Sequence, residues 1–84
     1  MELSESQRRV LLAITAGQFL KSHRDIEGHK AYQLHALDGS VTAVEWEVVE
    51  ALTNLGLIDS NKKFPAATYW LTDKGRQLVA TLGR

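Results

Sequence analysis

Three histidines spaced six residues apart, His23, His29 and His35, and three glutamates in the hexapeptide "EWEVVE" are the side chains of this chain whose type and spacing suggest chemistry. If residues 19–36 fold back on themselves with the turn near His29, His23 stands opposite His35, and two imidazoles across a strand pair are the start of a zinc site. A closed site needs further ligands, and only Asp25 and Asp38 are near in sequence, so no metal and no cofactor is assigned. Without metal, such a pair would still change charge near neutral pH. Glu45, Glu47 and Glu50 form a solvated helix face rather than an acid and base pair. Ser, His and Asp all occur, but no glycine-framed nucleophile, metal-hydrolase pair or phosphate loop surrounds them, so the chain is not expected to be an enzyme.

Cations make a second pattern. Lys21, His23, Arg24, His29 and Lys30 gather in one expected hairpin, and Lys62 and Lys63 in another. Lys and Arg on hairpin tips neutralise phosphates and make affinity fall with salt. The same residues also serve plain solubility, and Asp25 and Glu27 dilute the first group. Lys21, Arg24, Lys30, Lys62 and Lys63 are the candidate nucleic-acid contacts. The whole chain has no positive field to help them, because 10 Lys and Arg balance 10 Asp and Glu over 84 residues.

These side chains need a scaffold, and 44% hydrophobic and 24% charged residues are ordinary for one small globular domain over residues 1–84. The absence of cysteine excludes disulfides and thiolate metal sites and fits a reducing compartment. "MELSESQRR" is polar and no long apolar run follows, so neither a signal peptide nor a membrane span is expected and the cytoplasm is the default location.

Ser4 with Gln7 has capping-box spacing, Val10, Leu11 and Ile14 with Leu3 form an apolar stripe, and Gly17 can end this first helix. From residue 18 to residue 39 the helical period is lost, and two extended runs flank a turn at "IEGH" where Gly28 can take a positive φ. "VTAVEWEVVEALTNLGLI" supports two readings. As a strand, "VEWEV" alternates and follows an Asp38-Gly39 turn. As a helix, Thr42 and Glu45 make a second capping box, Val41 and Trp46 a hydrophobic staple, and Val44, Val48, Leu52 and Leu55 share a face, with Gly56 and Leu57 closing a Schellman ending. The helix reading explains more of the segment and predicts a helix from about Thr42 to Leu55. A second hairpin follows around Asn61, with Pro65 at an edge or in the loop, and a last helix begins at Thr72 or Asp73 with Leu78, Val79 and Leu82 inward. Gly75 in its first turn is a local cost.

"VVEALTNLGLI" followed by "YWLTDKGRQL" resembles the winged-helix repressors of the multiple-antibiotic-resistance type. The resemblance covers residues 44–80 and rests on Leu52, Gly56, Leu57 and Ile58, then Leu71, Thr72 and Gly75. It implies an α+β, winged-helix-like domain in the order helix, hairpin, helix, hairpin (wing), helix, and a helix-turn-helix role in transcription regulation on double-stranded DNA. Under that reading Lys62 and Lys63 in the wing and Lys21, Arg24 and Lys30 in the first hairpin contact phosphates.

The outward face of the central helix offers a different function. About 100° of rotation per residue places Trp46 and Glu50 opposite the apolar stripe, with Glu47 beside them. Glutamate accepts from cytosine only and is repelled by phosphate, whereas an exposed tryptophan is a frequent interface anchor. Trp46, Glu47 and Glu50 are therefore the candidate protein interface, with a two-fold homodimer or a basic partner as the simplest occupant.

Overall fold

The computed structural model describes residues 3–24, 26–62 and 66–82. Helix α1 (Glu5–Thr15) opens on the expected capping box: Gln7 N donates to Ser4 Oγ at 3.1 Å and Ser4 N to Gln7 Oε1 at 2.9 Å. It closes as a Schellman motif, with Gln18 N donating to Ala13 O and Gly17 at φ +102°. β1 (Phe19–Arg24) and β2 (Lys30–His35) then form the predicted antiparallel hairpin, with Leu20 against Leu34 and Ser22 against Tyr32.

The next segment corrects the prediction, because residues 41–44 do not begin a helix. They form β3 (Val41–Val44), which pairs with β2 from His35↔Val41 to Tyr32↔Val44. The turn decides the matter. Gly39 at φ +92° and the Asp38 carboxylate, which accepts from Ser40 N at 2.9 Å and Ser40 Oγ at 2.7 Å, fold the chain back along β2. Three of the four residues are β-branched and suit the edge of a sheet better than a first helical turn. Helix α2 (Trp46–Asn54) therefore starts later than expected, with Glu45 as an N-cap that makes no side-chain cap bond, so neither the Thr42 capping box nor the Val41 and Trp46 staple forms.

α2 ends as predicted, with Leu57 N donating to Leu52 O and Gly56 N to Thr53 O, both at 3.0 Å, and Gly56 at φ +76°. β4 (Ile58–Ser60) and β5 (Ala66–Leu71) form the second hairpin, and α3 (Asp73–Leu82) closes the chain. The result is an α+β fold with three helices and one five-stranded antiparallel sheet in the order β3-β2-β1-β5-β4. Three strands, rather than a hairpin alone, separate the first two helices, and the second hairpin joins the first through the pairing of β1 with β5.

All three helices pack on one side of this sheet. Leu11, Leu20, Leu52 and Leu57 are fully buried there, and each contributes about 1.5–3 kcal/mol by leaving water. Val49, 1% exposed, is a core residue of α2 that the predicted face omitted, because starting the helix at Trp46 rotates the buried stripe to Val49 and Leu52 with Val48 and Leu55 half-buried beside them.

The "LGLI" and "LTDKG" motifs meet at one point. Thr72 N donates to Leu57 O at 3.0 Å, Thr72 Oγ1 donates to Gly56 O, and Gly75 N donates to Thr72 Oγ1 at 3.0 Å, which makes Thr72 the cap of α3. Gly75 is buried against the same carbonyl, and a Cβ there would stand 2.1 Å from Leu57 O. The local cost of glycine in a helix is thus offset by the close approach of α3 to the end of α2.

On the helix side of the sheet Tyr32 and Tyr69 meet edge to face, centroids 6.0 Å apart. Burial, reinforced by Tyr32, holds the Tyr69 hydroxyl above the ordinary tyrosine pKa.

Two outcomes are expected. Gly75→Ala gains helix propensity but must displace a backbone carbonyl, so it should destabilise the fold by about 1–3 kcal/mol in urea unfolding; a stabilised variant would show that the approach of α3 to Leu57 is not tight. Because the folded pKa of Tyr69 lies above its unfolded value, its contribution is complete below the unfolded pKa and is lost as pH rises through the folded one. Thermal unfolding in alkali should therefore fall more steeply for the native chain than for Tyr69→Phe, and equal slopes would remove Tyr69 from the account.

Candidate functional site

Side chains alternate across a strand, so the burial of Leu20, Ser22, Leu34, Ala67 and Leu71 on the helix side fixes what the other side carries. The register sets Val41 against His35, His35 against Phe19, and Asp59 against Trp70. Extending the β1–β5 register by one residue from Leu20↔Tyr69 brings Phe19 level with Trp70. One row across the outer face therefore reads Val41, His35, Phe19, Trp70, Asp59. The next row reads Ala43, Gln33, Lys21, Thr68.

No helix of the described residues covers this face, and the aromatic rings lie in the open: Phe19 is 52% exposed and Trp70 44%. Lys21 projects beside them, its Nζ 5.9 Å from the Phe19 ring centroid, at the outer limit of a cation–π contact.

The predicted phosphate contacts separate according to strand parity. Lys21 stands on the outer face, in the middle of β1. Arg24 and Lys30 are paired across the hairpin tip with the parity of the helix side; Arg24 Nη1 donates to Gly28 O at 3.2 Å and Lys30 Nζ lies 5.3 Å from the Tyr32 ring centroid. Lys62 sits in the β4–β5 connection with φ +55° and is exposed. Since β5 runs antiparallel to β1 with Ala66 against His23, both hairpin connections leave the sheet at the same end. The aromatic row thus lies towards one end of the sheet and Arg24, Lys30 and Lys62 at the other, with Lys21 between. Lys63, Asp25 and Pro65 lie outside the described residues.

Charge follows the same division. β1, β2, β3 and β5 carry Lys21, Arg24 and Lys30 and no Asp or Glu, and Asp59 on β4 is the one acidic strand residue among those described. The helix layer carries both signs and pairs several locally: Arg9 with Glu5 at 3.3 Å and Arg76 with Asp73 at 3.0 Å.

The histidine geometry needs correction. The turn between β1 and β2 centres near Glu27, not His29, so His23 faces Ala31 and His35 faces Phe19. The two imidazoles are four strand positions apart rather than opposite, and among the described residues no group of three or more His, Asp or Glu is placed to hold a metal ion. His29 instead approaches the Glu27 carboxylate at 3.7 Å on the surface.

Trp46, Glu47 and Glu50 are exposed on α2, Trp46 by 58%, so Trp46 is neither a buried staple nor covered by the first hairpin. It begins α2 directly beyond the β3 edge.

Phe19 and Trp70 were not candidates on sequence grounds. "TYWLT" does contain the signal, since Tyr69 and Leu71 turned inward leave Trp70 outward, but its partner Phe19 becomes visible only once β5 is known to lie beside β1. No helix of the described residues is long and apolar enough to cross a membrane. No family model matches the chain, and comparisons with curated proteins and with solved structures find no match either.

Proposed function

We propose that the chain is a cytoplasmic nucleic-acid-binding domain whose open sheet face holds a single-stranded segment. The observation that carries this reading is the outer face itself: Phe19 and Trp70 exposed side by side on neighbouring central strands, with Lys21 adjacent and further cations at the far end of the same sheet. Unpaired bases present π-faces that stack on such rings, and their phosphates then run along the cations. Phe19 and Trp70 are the stacking platforms. Lys21, in the next row, neutralises a phosphate beside them, and Lys62, with Arg24 and Lys30 at the same end of the sheet, meets the phosphates that run past the hairpin tips.

The phosphate contacts expected from sequence are kept in this reading, but the duplex is not. A base pair hides its faces in the stack, and two flat aromatic rings on a sheet have no groove to enter. A winged-helix reading of residues 44–80 would use the succession α2, β4, β5, α3. Against α2 as a groove-reading helix stand its outward Glu47 and Glu50, and the three strands that lie where a preceding helix is needed. A role in regulating transcription fits a single-strand binder as well as a duplex reader.

Fluorescence anisotropy with labelled mixed-sequence oligonucleotides tests the reading. A single strand should bind more tightly than the matching duplex, and should quench Trp70. Phe19→Ala and Trp70→Ala should each weaken binding about ten- to a hundredfold, since a stacked base is worth about 1–3 kcal/mol. Lys21→Ala should lower affinity and reduce the salt slope by about 0.7. Equal affinity for duplex and single strand, or binding indifferent to both aromatic substitutions, would overturn it.

A further inference from the structure

The two edges of the sheet are unequal. β4 is guarded as edge strands usually are, being 3 residues long and carrying Asp59. β3 is not guarded: Val41–Val44 contains no charge and no proline, and its register against β2 is unbroken. Three of the exposed large apolar side chains also lie along this edge, Leu37 (79%) just before it, Val41 (50%) within it and Trp46 (58%) just after it.

The hydrogen-bond phase of the edge can be read from its turn. Ala36 N donates to Ser40 O at 2.9 Å, so Ala36 and Ser40 are a hydrogen-bonded pair, and alternation along an antiparallel ladder makes Leu34 with Thr42 and Tyr32 with Val44 the next ones. Thr42 and Val44 thus direct their N–H and C=O to β2. Those of Val41 and Ala43 point outward, where no strand of the described residues meets them.

We propose that this edge is a homodimer interface, in which β3 of a second copy adds antiparallel about a two-fold axis through Thr42. In that register Val41 pairs with the partner's Ala43 and Ala43 with the partner's Val41, each pair exchanging both backbone hydrogen bonds. The two sheets become one of ten strands.

A second copy is the occupant because the flanks complement each other under the same symmetry. Trp46 follows β3 at the start of α2 and Leu37 precedes it in the turn, so antiparallel pairing brings each towards the opposite flank of the other copy. Trp46 and Leu37 sit at opposite ends of one edge, so antiparallel pairing covers both of them twice. β3 is neutral, so no like charges face each other along the paired strands, although the partner's Asp38 comes near Glu45 at the flank. The short, acidic β4 edge discourages head-to-tail addition, so the assembly closes as a dimer. The contact uses the edge and leaves Phe19, Lys21 and Trp70 open.

Cross-linking and sedimentation test the proposal, helped by a chain without cysteine. Thr42 lies at a non-hydrogen-bonded position on the axis, where facing Cα atoms are about 4.5 Å apart, within disulfide reach. Mild oxidation of Thr42→Cys should yield a covalent dimer at least tenfold faster than Ala31→Cys, an exposed position at the far end of β2. The unmodified protein should sediment as a dimer, and Val41→Lys with Ala43→Lys, which sets like charges across the pair, should sediment as a monomer with an unchanged circular-dichroism spectrum. If that double variant fails to fold, Trp46→Ser serves instead and should weaken the dimer at least tenfold. Phe19→Ala and Trp70→Ala should leave the dimer intact, so loss of nucleic-acid binding and loss of dimerisation are separate results. A monomeric native protein, or Thr42→Cys linking no faster than Ala31→Cys, would refute the edge as the interface.

Discussion

The carbonyl of Leu57 holds the two ends of this fold together. It follows the Schellman ending of α2, accepts from Thr72 N, and lies so close to α3 that only glycine fits at position 75. With Thr72 bridging Gly56 O and Gly75 N, this point fixes where α3 starts against the end of α2. It also fixes β4 and β5, which run between the two helices, and so brings β5 against β1 with Trp70 turned outward. The residues on which a winged-helix resemblance is read from the sequence are largely those that build this junction. Their role in the structure is helix packing, and the chemistry of the exposed surface has to be argued from other side chains.

A sheet of five strands has two faces, and a chain of 84 residues has helices for only one. Antiparallel sheets tolerate this when the second face is polar. Here Gln33, Lys21, Thr68 and the histidines partly meet that condition, whereas Phe19, Trp70 and Val41 do not. Each of those three could have been polar without loss to the core, because none of them touches the helix side. Their exposure is therefore not explained by folding.

What was legible in the sequence was local. Ser4 with Gln7, Gly17, and Gly56 with Leu57 each act within a few residues of themselves, and each ends or begins a helix as read. Residues 41–45 were misread because their helix signals are also local and competed with a partner strand in β2; the Asp38 to Ser40 turn delivers that strand, and its ladder bonds prevail over an isolated cap. The histidine pairing failed on the position of the turn. Moving the turn centre from His29 to Glu27 moves the partner of His23 by four positions, from His35 to Ala31. The aromatic row was beyond reach for another reason: it depends on β1 meeting β5, a contact between segments from opposite ends of the chain that no local pattern encodes.

Zero net charge argues only mildly against a polyanionic partner, and the distribution of charge over the fold shows why. Glu5, Glu47 and Asp73 sit in the first turns of the three helices, where they complement the positive helix ends, and two of them also pair with arginines on their own helices. These carboxylates are held on the helix side of the molecule. On the outer face of the strands the charged side chains are Lys21 and, at the β4 edge, Asp59, while Arg24 and Lys30 stand at the hairpin tip with the parity of the helix side. An approaching chain of phosphates responds to the local potential within about 8–10 Å, the screening length at ordinary ionic strength, and not to the molecular sum. Over that distance the centre of the sheet face is set by Lys21, with Asp59 at one edge and Lys62 beyond one end, whereas the outward face of α2 carries Glu47 and Glu50.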